Sequence, residues 1–287
     1  MFEAFDYPFM QRALVELLVL SIAAGTLGTW IVLRGLAFYS HGVAAAAFPG
    51  LVLADGLGFS AALGAFGVAL IFALTVGRLA ARADGGHDAL TALVLVAALA
   101  IGVVLASDVF ESGANVETLL FGSLLAIGAD DIRLAALVAA LALLATFVLG
   151  QRWLTAGFDP GAARSLGVRS PAADLVLLVL IALAAVATLS AVGALLATAL
   201  LVVPAATTRL LTRRLLPWQL ATVALAAAEG TAGLWLSFET NAPPGATIAV
   251  IAGGGFALVA LGRAGTATLT HLRARRLAAT AQPGGAA

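Results

Sequence analysis

The chain has 287 residues, of which 62% are hydrophobic and 10% are charged, and its mean hydropathy is +1.08. Soluble domains average about 45–50% apolar and about 25% charged residues, so this composition is typical of a membrane protein. The formal net charge of zero argues against a nucleic-acid-binding surface, and we expect no nucleic-acid partner. The absence of cysteine excludes disulfides and thiolate metal sites.

Several long apolar stretches predict membrane-spanning helices, since about 20 apolar residues cross the roughly 30 Å hydrocarbon core of a bilayer. The sequence predicts nine spans, over residues 10–33, 42–57, 60–80, 88–107, 134–154, 173–190, 194–212, 217–237 and 246–263. Only the sequence SAVGA separates the sixth from the seventh, which leaves either a tight hairpin or one bent element. We therefore predict an all-α, polytopic transmembrane helical bundle, with residues 1–265 as one domain and residues 266–287 as a tail whose end is disordered.

The positive charges predict the orientation of this bundle. With nine spans, 13 of the 15 arginines fall on one side, and only Arg12 and Arg133 fall on the other. The positive-inside rule makes the arginine-rich side cytoplasmic. The N-terminus is then expected outside and the C-terminus in the cytoplasm.

The outer connection over residues 108–133 is longer than a turn. Asn115 can cap a short helix whose apolar residues recur at helical spacing, namely Leu119, Leu120, Leu124 and Leu125. This helix is too short to cross the bilayer, so we predict a re-entrant or interfacial element.

The inner connection over residues 151–175 also predicts a short helix. Asp159 suits the N-cap, Pro160 suits the first helical position, and Gly167 is a natural C-terminal stop. The helix is either a plain connector or a docking element for a cytoplasmic partner.

The stretch FDPGAARSLGV resembles the coupling segment of bacterial ABC transporter permeases for zinc, manganese or iron uptake. Other stretches agree with this family in order and spacing, over about residues 9–262: FMQRALVELLVLSIAAGTLGTWIVLRGLAF, AFPGLVLA, LLFGSLLAI, SAVGALLATALLVVPAATTRLL and LSFETNAPPGATIAV. The chain is therefore identified as a member of this family.

The resemblance implies a multi-pass permease of the bacterial inner membrane. Two copies would form the pathway as a homodimer, separate cytoplasmic ATPase subunits would hydrolyse ATP, and an extracytoplasmic solute-binding protein would deliver the metal. The chain lacks both the G-x-x-x-x-G-K-[ST] motif and any lysine, so no ATPase site is expected. No permanently bound cofactor is expected either, only the transported metal. Within the coupling segment, about residues 155–172, the residues implied to contact the ATPase are Phe158, Asp159, Ala162 and Gly167.

His41 is the first candidate metal residue. Many of these permeases read G-D-A-x-S-H-A-x-x-P-G at the start of the second span. Aligned without a gap on Pro49 and Gly50, His41 takes the position of the Asp and Ala45 that of the His. Alignment on Ser40 and His41 instead requires four extra residues, and the ungapped alignment is preferred because LRGLAF upstream also matches. One ligand-type residue remains, either in the metal pathway or as a hydrogen-bonded structural histidine.

Two further residues are candidates for the metal pathway. Asn241 lies where the family often has Asp, although NAPPG also predicts a turn by itself. Glu229 lies near the middle of the eighth predicted span, where a carboxylate is costly unless it is paired or faces water. It either lines the pathway or pairs with another span, and the same alternatives hold for Glu16 in the first span.

The transported ion is expected to be a divalent metal. Zinc is favoured because imidazole replaces a carboxylate at position 41, and manganese or iron is the alternative. A proton-coupled secondary transporter using Glu16 and Glu229 would be expected to show internal repeats, and the sequence has no convincing one.

Overall fold

The computed structural model describes residues 3–82, 87–109, 127–158, 170–189, 193 and 197–280. In these ranges the chain forms ten α-helices and no strand: α1 (Pro8–Arg34), α2 (Ala37–Ala46), α3 (Phe48–Leu57), α4 (Ala61–Arg82), α5 (His87–Val104), α6 (Ala129–Phe158), α7 (Pro171–Ala187), α8 (Ala197–Leu211), α9 (Leu215–Thr240) and α10 (Pro244–Thr280). A 3₁₀-helix, Glu3–Asp6, precedes α1, and a π-helical turn, Leu105–Val109, follows α5.

The predicted all-α, polytopic bundle is confirmed. In the described parts of the chain, seven helices are long and apolar enough to cross a membrane, with α2 and α3 counted together as Ala37–Leu57. The two shorter apolar helices, Pro171–Ala187 and Ala197–Leu211, coincide with the sixth and seventh predicted spans. Every predicted span therefore has a helical counterpart.

Helix α1 is the central helix of the bundle. It packs along α9, α6 and α8, and its C-terminal half is almost entirely buried. Glycines permit the close contacts, since a Cβ on Gly25 would lie 2.1 Å from the Val223 side chain and one on Gly28 would lie 2.2 Å from the Leu201 carbonyl. The largest fully buried side chains include Trp30, Trp153 and Trp218, one each on α1, α6 and α9.

The second span begins earlier than the sequence predicted. Its helix starts at Ala37 rather than at residue 42, and Tyr39 and Ser40 are fully buried. The hydroxyl of Tyr39 donates to the Leu178 carbonyl and that of Ser40 to the Ala37 carbonyl, at 3.0 and 2.9 Å. These polar groups are hydrogen-bonded, so they can be buried at the start of the span at low cost.

The helix ends follow from local residue chemistry. Gly35 ends α1 in the left-handed conformation (φ 66°), and the next N–H, of Leu36, donates to the Ile31 carbonyl at 2.9 Å. Ser170 caps α7 by accepting from the Ala173 N–H at 3.4 Å, and Pro171 takes the first helical position.

Two predicted elements fall outside the described residues. These are the outer short helix, with Asn115 and its leucines, and the coupling helix, with Asp159, Ala162 and Gly167. At the C-terminus, α10 continues to Thr280, so the predicted tail is helical over residues 266–280.

Candidate functional site

His41 lies in the second turn of α2, inside the bundle. Its imidazole is partly buried, and its Nδ1 atom lies 3.4 Å from the Thr198 hydroxyl at the start of α8. Helix α2 also packs on α5 and α7, so the imidazole belongs to a region where several spans meet. A partly buried nitrogen base among apolar spans is suited to contact with a cation or with water in a pathway.

The surroundings of His41 are small and weakly polar. A Cβ on Gly42 would lie 2.7 Å from the Thr91 methyl group of α5, so glycine is needed for this close packing. Thr91 is fully buried, and its hydroxyl has no hydrogen-bond partner among the described residues. Ala45, one turn after His41, contributes only a methyl group, although its position is partly exposed.

A break follows directly after this part of α2. Ala47 separates α2 from α3, and Pro49 lies in the first turn of α3. A Cβ on Gly50 would lie 2.1 Å from the Gly64 carbonyl oxygen of α4, so this glycine lets two helices touch through their backbones. The Pro-Gly pair thus lies at the junction of α2 and α3, where α3 contacts α4 through backbone atoms.

Glu229 lies near the middle of α9 and is only 6% exposed. Neither carboxylate oxygen has a hydrogen-bond partner among the described residues. Its Oε1 atom lies 3.0 Å from where a Cβ on Gly255 of α10 would be, so the carboxylate points toward α10. A buried carboxylate without such a partner lowers the stability of the protein. Its presence therefore indicates a functional role and not a stabilising one.

Asn241 ends α9 in the left-handed conformation, with φ 53° and ψ 29°. It is the one residue other than glycine with positive φ in the described chain, and its side chain is exposed. Asparagine is among the residues that tolerate this conformation at a helix end. The turn predicted from NAPPG therefore accounts for its position.

The predicted metal residues are not brought together within one chain. His41 contacts α8, Glu229 faces α10, and Asn241 lies at the end of α9. Among the described residues, no group of three His, Cys, Asp or Glu side chains could hold a metal ion. Metal roles for these three residues therefore stay predictions.

The arginine-rich helix ends meet on one face of the bundle. Leu33, Phe158, Arg209 and Arg213 line one open cavity of about 150 Å³, and Arg263 lines an adjoining cavity. Arg209 lies 4.6 Å from the centre of the Trp218 ring, and Arg263 donates to the Leu210 carbonyl. Phe158, the last residue of α6, is 66% exposed and lies inside the predicted coupling segment.

The sequence profile of the ABC 3 transport family matches residues 6–262. The chain belongs to this family. Membership in the ABC 3 transport family confirms the resemblance drawn from the coupling, Pro-Gly and late-span motifs.

Curated relatives in the ABC 3 transport family cover most of the chain. The manganese transport system membrane protein MntC of Halalkalibacterium halodurans is 31% identical over 88% of this chain and 87% of its own length. The chelated iron transport system membrane protein YfeD of Yersinia pestis is 29% identical over 87% of this chain and 84% of its own. The solved structure of PsaBC from Streptococcus pneumoniae in complex with Fab superposes with a TM-score of 0.77 and 27% identity, over 90% of this chain and 94% of that chain.

Two residues that lie beside His41 and Gly42 were not identified as candidates from the sequence. Thr198 and Thr91 are single hydroxyls in apolar helices, which normally bond to their own backbone and give no signal of function. Only the packing of α8 and α5 against α2 places them beside His41 and Gly42.

Proposed function

We propose that this chain is the membrane permease subunit of an ATP-binding-cassette importer that moves a divalent transition-metal ion into the cytoplasm. The main support is the family match over residues 6–262. Relatives that are similar to this chain over most of their length are named for manganese and iron transport. The chain supplies the pathway, and separate subunits hydrolyse ATP.

Manganese or iron is the first candidate for the ion, because the relatives are named for these metals. Zinc is the second candidate and is supported by the imidazole of His41, a ligand type that zinc accepts readily. Manganese prefers oxygen ligands, so its passage would depend on carboxylates such as Glu229 or on residues of a second copy.

The site is proposed to be completed by a second copy of the chain. One chain offers a single imidazole beside Thr198, and a homodimer would offer two. His41 and Glu229 are the proposed pathway residues, while Asn241 is a weaker candidate because its backbone conformation already accounts for it. A solute-binding protein on the outer side would deliver the ion.

The arginine-rich face is proposed to be cytoplasmic and to receive the ATPase. Phe158 is exposed there at the end of α6, directly before Asp159. A large exposed aromatic side chain at a helix end suits insertion into a partner's cleft. Together with Asp159, Ala162 and Gly167 it would form the coupling surface, and the protein would lie in the inner membrane with its N-terminus outside.

The experiment is metal-limited growth of a bacterial strain that lacks its own manganese, iron and zinc importers. The strain would receive this chain with its ATPase and binding-protein partners. We expect rescue in at least one metal-limited medium, and loss of rescue when Phe158 and Asp159 are both replaced by alanine. Unchanged metal uptake by this double variant, at wild-type abundance in the membrane, would contradict the proposal.

A further inference from the structure

The two helices that flank the coupling segment are tied at their ends to α1. The Arg34 guanidinium, at the end of α1, donates to the Asp174 carboxylate in the first turn of α7 at 2.8 Å. The side chains of this ion pair are only 11% and 19% exposed. On the other flank, the Arg34 stem lies 3.1 Å from where a Cβ on Gly157 of α6 would be. One side chain therefore contacts both helices between which the coupling segment runs.

Two buried indoles reinforce this connection. The Trp153 N–H of α6 donates to the Ala173 carbonyl of α7 at 2.8 Å, which joins the two flanking helices directly. The Trp153 ring also meets the Trp30 ring of α1 edge-on, with centroids 5.5 Å apart. Both rings are fully buried, so this contact has little room to slip.

A hydrogen bond connects α7 to α2, the helix that carries His41. The Tyr39 hydroxyl of α2 donates to the Leu178 carbonyl at 3.0 Å, and the Tyr39 side chain is fully buried. Leu178 follows Asp174 by four residues, so the two contacts lie one turn apart on the same face of α7. Tyr39 precedes His41 by only two residues on α2.

We propose that the first two turns of α7, Pro171–Leu178, transmit movement of the coupling segment to the His41 region, with Arg34 and Tyr39 as positioning residues. A helix moves as a rigid element over such a short length, so displacing its N-terminus displaces Leu178 as well. The Tyr39 hydrogen bond transmits this displacement to α2. The Arg34–Asp174 ion pair makes the end of α1 move together with the N-terminus of α7. This inference rests on the proposed function.

The test is the amount of metal transported per ATP hydrolysed, in proteoliposomes that contain the chain with its ATPase and binding-protein partners. Tyr39→Phe removes one oxygen atom and preserves the ring, so the variant is expected to fold. We expect uptake per ATP to fall about fivefold, the factor that a typical hydrogen bond is worth, while ATP hydrolysis continues. Arg34→Gln is expected to act in the same direction.

Matched controls are available in this chain. Tyr7, the only other tyrosine, is 50% exposed, and Tyr7→Phe should leave the ratio unchanged. The exposed pair Arg133–Asp130 has the same 2.8 Å separation as Arg34–Asp174, and Arg133→Gln should also have no effect.

A wild-type ratio in Tyr39→Phe would overturn the inference while leaving the proposed function in place. This holds even if the variant has lowered thermal stability and lowered total uptake, because the hydrogen bond would then serve stability alone. If the wild-type complex shows no ATP-driven metal uptake, the proposed function fails and the inference fails with it.

Discussion

The Nδ1 atom of His41 lies 3.4 Å from the hydroxyl oxygen of Thr198, and this contact joins α2 to the start of α8. Thr198 has a hydroxyl that can orient the imidazole without adding charge. Among the described residues no hydrogen bond engages the other ring nitrogen, so it could contact a cation or water. Thr91, whose methyl group lies against Gly42, adds a further hydroxyl nearby, and most other residues of α2 and α8 are apolar.

Replacing His41 tests its place in the pathway. We expect His41→Ala to abolish or strongly reduce metal uptake, and Thr198→Val to reduce it less, because valine preserves the shape but removes the hydroxyl. Uptake at limiting metal by cells carrying each variant, normalised to membrane abundance, is the measurement. Wild-type uptake by His41→Ala would remove this residue from the pathway.

The chain contains no cysteine, so single-cysteine variants report the proposed homodimer without background. We expect His41→Cys in membranes to form a dimer with a short thiol-specific crosslinker, since two copies of position 41 would face one pathway. Phe158→Cys, at the end of α6, is the comparison for a remote position. No dimer at His41→Cys, with its free thiol shown to be reactive, would contradict the proposed arrangement, whatever Phe158→Cys does.

Glu229 should show opposite effects on stability and function. Glu229→Met replaces a buried carboxylate that lacks a hydrogen-bond partner among the described residues with an apolar side chain of similar length. We expect an increase in stability of about 1–3 kcal/mol, because the cost of burying that group disappears. Uptake should fall if the carboxylate lines the pathway. Thermal unfolding in detergent and uptake in cells measure the two effects, and unchanged uptake would assign Glu229 no transport role.

Gly50 and Gly67 form a matched pair for testing the helix contact near the Pro-Gly element. A Cβ on Gly50 would lie 2.1 Å from the Gly64 carbonyl, whereas a Cβ on Gly67 would have no neighbour within 4 Å. We expect Gly50→Ala to destabilise the protein by about 1–3 kcal/mol, because backbone atoms must move apart. Gly67→Ala should be neutral or slightly stabilising, since alanine favours helix. Equal melting temperatures for the two variants would contradict the close approach of α3 and α4.

Asn241 is tested by the substitution that preserves its backbone. Asn241→Gly keeps the left-handed helix end, whereas Asn241→Val disfavours it. If Asn241 acts as a helix cap, the glycine variant retains stability and uptake, and the valine variant loses stability. Loss of uptake in a stable Asn241→Gly variant would instead support a role in the metal pathway.

The sequence predicted the helices of this fold well, because long apolar stretches have few alternatives to a membrane helix. The start of the second span was placed five residues late, since Tyr39 and Ser40 are polar and their hydrogen bonds to Leu178 and Ala37 cannot be read from periodicity. The contact between His41 and Thr198 was not foreseen either. It joins residues 157 positions apart and depends on how α2 packs against α8.

ATP-driven metal import is measured as metal accumulation in proteoliposomes that contain this chain, its ATPase and its binding protein. Manganese, iron(II) and zinc would each be offered outside, with ATP or a non-hydrolysable analogue on the ATPase side. We expect accumulation of at least one of these metals only with hydrolysable ATP. Accumulation driven by a pH gradient without ATP, or no accumulation of any of the three with ATP present, would contradict it.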